Sequence, residues 1–186
     1  MAGTAANGDL WVFGYGSLIW KPGFEAVERV RATAPGYRRS FCMTSIHYRG
    51  PPERPGLVLA LDEAEGAEAC AGLAYRVAAP AAAGVRDYLR ERELVTYAYH
   101  EVEIALATED GRDVTAVTFV VDRSHAQYQG ALPHEAQAEI IAAAAGLAGP
   151  NAEYLRQTTA ALRALAIEDP ALDALERMVA EREGRR

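Results

Sequence analysis

Cysteine is scarce in this chain, and long runs of one character are missing. The two cysteines, Cys42 and Cys70, stand in apolar, strand-like stretches. They read as reduced core thiols of a cytoplasmic protein, with a disulfide or a reactive pair as the alternative. No basic run is long enough to track a phosphate backbone, and the net charge is −7 with a pI near 5.2; this argues against a nucleic-acid partner. No apolar stretch approaches the ~20 residues that span a bilayer. The opening "MAGTAANGD" lacks a positive n-region and an apolar h-region, so residues 1–8 read as a short mobile tail, not a signal peptide.

Several catalytic signatures are begun and not completed. "HEAQA" starts like a zincin helix, but position 138 is alanine, and no His/Cys/Asp spacing resembles a metal site, so a metal-free protein is expected. Gly14 and Gly16 give G-x-G after an apparent strand, yet the third glycine of a dinucleotide fingerprint is replaced by Ile19. No Lys-Ser pair follows to make a phosphate loop. Ser17 has no glycine two residues on, which removes the nucleophile elbow of a serine hydrolase.

What remains fits one domain over residues 9–183, without repeats or linkers. Half of the 186 residues are apolar, enough for a core. The first two-thirds read mostly as strands: "LWVFGYG", "YRRSFCMTS" with Phe41 and Met43 on one side, "GLVLALD", "CAGLAYRV" and "VTAVTFVVD". Their nearly all-apolar character suits a sheet buried on both faces or a closed barrel. "TYAYHEVEIAL" alternates, with Tyr97, Tyr99, Glu101 and Glu103 on one face and His100, Val102 and Ile104 on the other; Asp110-Gly111 marks a hairpin turn after it. Helices are expected from Pro80, from Pro133 through the alanine run to a glycine, from Asn151 as N-cap, and from Asp169-Pro170. Strands early and helices late, without βαβ alternation, indicate an α+β fold with a mixed or closed sheet.

Two features offer chemistry. The first is the polar centre Gly14-Tyr15-Gly16-Ser17 inside "WVFGYGSLIW". Its glycines allow positive φ and close approach of a ligand, and such a loop presents N–H donors that suit a carboxylate as well as a phosphate. A plain tight turn under a core is the other reading. The second is Glu93, which continues the stripe Val85, Leu89, Glu93 at four-residue spacing, while Arg90 and Glu91 point to solvent. Loss of hydration and the negative end of the helix dipole both raise such a carboxyl toward the range of a general base. A frayed helix end with a solvated or ion-paired glutamate is the alternative. Nine tyrosines against four phenylalanines add phenols that need partners when buried, some of them lining a polar pocket.

Taken jointly, "VFGYGSLIW", "GYRRSFCMTSIHYRG", "PGLVLALD", "GLAYRV", "YLRERELVTYAY" and "GPNAEYLRQTTAALRALAIEDPALDAL" resemble the ChaC-type γ-glutamylcyclotransferases from about Leu10 to Met178. One departure is Ser45-Ile46-His47-Tyr48-Arg49-Gly50, where many members carry a Ser-x-Asp-His-Arg-Gly-like run. The resemblance implies a compact mixed fold, a small closed or barrel-like sheet with packed helices. It implies cleavage of glutathione, a small-molecule substrate, to 5-oxoproline and Cys-Gly by attack of the α-amino group on its own γ-carbonyl, without a cofactor. It places the γ-glutamyl end at Tyr15, Gly16, Ser17 and Leu18, makes Glu93 the general acid and base, and sets Tyr154 at the pocket edge as a hydrogen-bond donor. A cyclotransferase for other γ-glutamyl amines, or a γ-glutamyl-binding module without chemistry, shares the same residues. The oligomeric state is left open.

Overall fold

The computed structural model describes residues 8–185, so the tail expected over residues 1–8 lies, except for Gly8, outside the described residues. In chain order the elements are β1 (Leu10–Gly14), α1 (Ser17–Trp20), β2 (Glu28–Pro35), β3 (Tyr37–Ser45), β4 (Gly56–Glu63), β5 (Ala69–Val77), α2 (Ala79–Glu93), β6 (Tyr99–Thr108), β7 (Asp113–Val121), α3 (His134–Ala143), β8 (Ala145–Gly146), β9 (Gly149–Pro150), α4 (Asn151–Ala164) and α5 (Pro170–Glu183). They fall into two compact units. The first holds the described residues up to Arg39 together with Leu61–Asp122, and the second holds Ser40–Ala60 and the described residues from Arg123 on. Among the described residues no helix is long and apolar enough to cross a membrane.

The first unit is a closed sheet. Strands follow the order β1-β5-β2-β6-β7, and β7 returns to β1 through the parallel pair Val12–Val117. Closure leaves these strands no open edge; β1 and most of β5 and β7 are buried along their length and read as apolar runs, whereas β2 and β6 alternate between core and solvent. Alternate residues of β1 (Trp11, Phe13) and Tyr15 beyond it enter the same core as Val30, Ala32 and Ala34 of β2 and Ile104 and Leu106 of β6. At Gly72 of β5 an added Cβ would stand 2.4 Å from the Gly14 carbonyl oxygen, so only glycine lets these strands meet there. The expected hairpin is present: Ala107 pairs with Asp113 around a turn with Gly111 at φ 86°.

The start of β6 differs from expectation. β6 begins at Tyr99, not before Tyr97. Tyr97 sits at φ 56° and its N–H bonds the Leu94 carbonyl, so residues 94–97 form the turn that ends α2 before the chain extends again. Tyr97 therefore does not share the Tyr99 face of the strand.

In the second unit α3, α4 and α5 pack on one another with Ile141, Leu155, Leu162, Leu172, Leu175 and Val179 buried. α5 is capped as its sequence suggests, the Asp169 carboxylate accepting from the Leu172 N–H. α3 stops at Ala143 and does not run to a glycine, because residues 145–146 pair with 149–150. Asn151 is not an N-cap. Pro150 holds that position, and the fully buried Asn151 side chain bonds both the N–H and the carbonyl of Leu57, each at 2.7 Å. The run 45–50 is a packed turn: Ser45 Oγ accepts from the Arg49 N–H, and the buried Arg49 guanidinium donates to the carbonyls of Ala148 and Pro150 and stacks over the Tyr154 ring. Gly50 admits no Cβ. His47 and Tyr48, in the stretch that departs from the usual run, are exposed, whereas Ser45, Arg49 and Gly50, which keep to it, are buried.

Candidate active site

The helix α2 brings Glu93 to its place. Pro80 sits in its first turn, where a missing N–H costs nothing, and the Ala79 N–H bonds the buried Asp9 carboxylate at 3.0 Å. The outer face is fastened to the barrel: Arg86 and Arg90 both donate to Glu101 of β6. The inner face carries the buried Val85 and Leu89, and Glu93 is its last residue. Its side chain is only 20 % exposed. Glu91 lies exposed off this face. Burial pushes the Glu93 carboxyl above the ordinary range, and the adjacent Arg92 guanidinium opposes that rise.

Arg92 is the hub that the stripe alone did not single out. Its Nε lies 3.1 Å from Glu93 Oε1, and its Nη2 donates to Ser17 Oγ at 3.0 Å. Its Nη1 donates to the Lys21 carbonyl (2.6 Å), the Pro22 carbonyl (3.2 Å) and the Tyr88 hydroxyl (3.1 Å). One guanidinium thus joins the glycine-bearing loop to the carboxylate. Tyr88 and Arg92 are four residues apart and stand with Val85, Leu89 and Glu93 in the helical pattern that the sequence shows after Pro80; what that pattern does not show is that Arg92 reaches Ser17 and the 21–22 carbonyls.

The loop is built from β1 into the single turn α1, with Gly16 as its N-cap residue. The N–H groups of Ser17 and Leu18 occupy the first turn, where a helix supplies no acceptor of its own. Ser17 is half-buried and Leu18 buried. Neither Gly14 nor Gly16 has a positive φ, contrary to expectation. Gly14 serves close approach instead: an added Cβ would stand 3.1 Å from Leu18 Cβ and 3.3 Å from the Tyr75 ring. Two side chains outside the expected set hold the loop. Tyr75 donates its hydroxyl to the Leu18 carbonyl at 2.8 Å, and burial pushes that phenol up to about 12. Arg39 donates to the carbonyls of Tyr15 and Ala71.

Tyr15 is part of the loop by its backbone. Its ring is buried in the barrel core and its hydroxyl donates to the Phe119 carbonyl at 3.0 Å. Tyr15→Phe is therefore expected to lower stability by about 1–2 kcal/mol, read as a shift of the urea midpoint at constant slope. Tyr154 lies in the second unit, buried, edge-on to Phe41 at 6.0 Å, its hydroxyl accepting from the Leu59 N–H at 3.4 Å.

The ChaC-like protein family matches residues 10–182. A glutathione-specific γ-glutamylcyclotransferase of Escherichia coli (strain K12) is 36 % identical over 169 residues, covering 91 % of this chain and 72 % of that protein. One from Schizosaccharomyces pombe is 34 % identical over 190 residues, covering 95 % and 94 %. In fold, the chain is similar to the crystal structure of a yeast γ-glutamyl cyclotransferase specific to glutathione, with a TM-score of 0.85, 24 % identity, and coverage of 94 % of this chain and 97 % of that one. A match over nearly the whole described chain, together with relatives above 30 % identity, establishes that the chain belongs to the ChaC-like protein family.

Proposed function

We propose that this chain is a γ-glutamylcyclotransferase that cleaves glutathione to 5-oxoproline and Cys-Gly, with Glu93 as general base and then general acid. The observation that carries the reading is the single Arg92 guanidinium shared between Ser17 of the loop and the Glu93 carboxylate. The relatives' named activity supports the substrate.

In the proposed reaction the backbone N–H groups of the turn at Gly16, Ser17 and Leu18 hold the α-carboxylate of the γ-glutamyl unit. Glu93 takes a proton from the α-ammonium. The freed amine attacks the γ-carbonyl carbon, forming the new C–N bond of the five-membered ring. The old amide C–N bond breaks as Glu93 returns its proton to that nitrogen; the attacking nitrogen gives up its second proton through Glu93 to the departing amine, so that the lactam keeps one N–H, Cys-Gly leaves as an ammonium and Glu93 is a carboxylate again. No water is consumed. The ring closes within one molecule, so holding the substrate folded back on itself removes much of the barrier. A carboxyl raised by burial is suited both to accept and to return the proton.

Rates of 5-oxoproline release from reduced glutathione, oxidised glutathione and γ-glutamyl-alanine test the substrate. We expect reduced glutathione to be preferred. A higher kcat/KM for γ-glutamyl-alanine would keep the chemistry and replace the substrate, and binding of glutathione without product from any of the three would make the chain a γ-glutamyl-binding module.

A further inference from the structure

We propose that Arg92 is a positioning residue, which fixes the Glu93 carboxylate against the 15–18 loop because Ser17, Tyr88 and the Lys21 and Pro22 carbonyls fix Arg92 itself. The proposal rests on the reading of Glu93 as the base. Its ground is geometric. Five contacts on one guanidinium, all at 2.6–3.2 Å, engage its three nitrogens and leave the group little freedom to turn. A planar, forked donor is required to serve partners in these directions at once, and a lysine ammonium cannot reproduce the fork. The anchor at Tyr88 is itself built in. At Gly23, which has φ 78°, an added Cβ would stand 1.9 Å from Tyr88 Oη, so glycine there leaves the phenol room to meet Arg92.

The consequence reaches the chemistry through position and charge. Arg92 is the cation that offsets the burial of Glu93. The other ionisable groups around the clamp are Tyr88 on α2 and Tyr75 of β5, which senses both Arg92 and Arg29 of β2; Lys21 meets Arg92 through its backbone carbonyl. If the guanidinium goes, the carboxylate keeps its burial and loses its ion partner. Its pKa then rises, and the acid limb of kcat/KM moves to higher pH.

The test compares Arg92→Gln, Arg92→Lys and Tyr88→Phe with the unmodified chain. Arg92→Gln is expected to lose on the order of 100-fold in kcat, the size of effect that a misplacement near 1 Å produces. Arg92→Lys should keep the charge, recover little of kcat, and leave the acid limb closer to its original place. Tyr88→Phe removes one hydroxyl and no charge, keeps the helix, and should lower kcat about tenfold, the equivalent of one hydrogen bond to a charged group. A second readout does not depend on turnover: the 13C NMR titration of the Glu93 carboxyl, assigned by its loss in Glu93→Gln, should shift upward in Arg92→Gln. An unmoved titration, or folded Arg92→Gln and Tyr88→Phe variants within twofold of the original kcat, would overturn the positioning role. An unmodified chain that makes no 5-oxoproline would instead remove the function reading, with the NMR titration still deciding whether Arg92 governs Glu93.

Discussion

The Glu93→Gln variant should fold, bind glutathione, and lose about 10²- to 10⁴-fold in kcat, the range supplied by a positioned general base. Glutamine has nearly the shape of glutamate and still offers an oxygen to Arg92 Nε, which lies 3.1 Å from Glu93 Oε1. What it lacks is the ability to take a proton. The α-ammonium of the substrate then stays protonated, and an ammonium has no electron pair with which to attack. Glu91→Gln is the control: Glu91 is exposed, off the face that carries Val85 and Leu89, and its loss should leave kcat within about twofold. The same variant makes a stability prediction. The folded pKa of Glu93 lies above its ordinary value of 4.5, so the folded state binds this proton more tightly than the unfolded chain. Stability from this group is fully present below the unfolded pKa and declines as pH rises through the folded one. At neutral pH the Glu93→Gln variant should therefore be no less stable than the original chain, which thermal melts at two pH values would check. An inactive Glu91→Gln beside an active Glu93→Gln would reverse the assignment.

The largest expected loss of stability is at Asn151. Its side chain is fully buried and serves both backbone groups of Leu57, donating to the carbonyl and accepting from the N–H. Asn151→Ala would leave a buried donor and a buried acceptor without partners, each a loss of about 1–3 kcal/mol, and would open a small void as well. A total near 3 kcal/mol follows. For a chain of this size that lowers Tm by roughly 6–12 °C. Asn151→Asp should also destabilise, since a carboxylate cannot donate to the Leu57 carbonyl. Calorimetry on both variants gives the answer, and melts within 2 °C of the original would mean that the Leu57 groups find other partners.

Much of the fold was legible because its strands carry their own signature. A closed sheet has no solvent edge, so runs such as "CAGLAYRV" of β5 and "VTAVTFVVD" of β7 are apolar on both faces, and the 110–111 turn declares itself through Asp-Gly. Glu93 was legible because four-residue spacing from Val85 and Leu89 survives into the structure. The rest depended on contacts between residues far apart in the chain. Nothing local says that the Tyr15 ring turns into the core toward Phe119, that Arg92 reaches Ser17 across 75 positions, or that Asn151 bonds Leu57 instead of capping its helix. Asn before an apolar helical run carries the same local signal in both roles. The departure at 47–48 was visible in sequence, but only the burial of Ser45, Arg49 and Gly50 separates the part that holds the turn from the part that faces solvent.

The most direct test of intramolecular cyclotransfer is the product balance from reduced glutathione, followed to completion by mass spectrometry. Equal amounts of 5-oxoproline and Cys-Gly, with no free glutamate, are predicted, because the nucleophile is the substrate's own amine. Glutamate in place of 5-oxoproline would mean that water attacks instead, and would contradict the role assigned to Glu93.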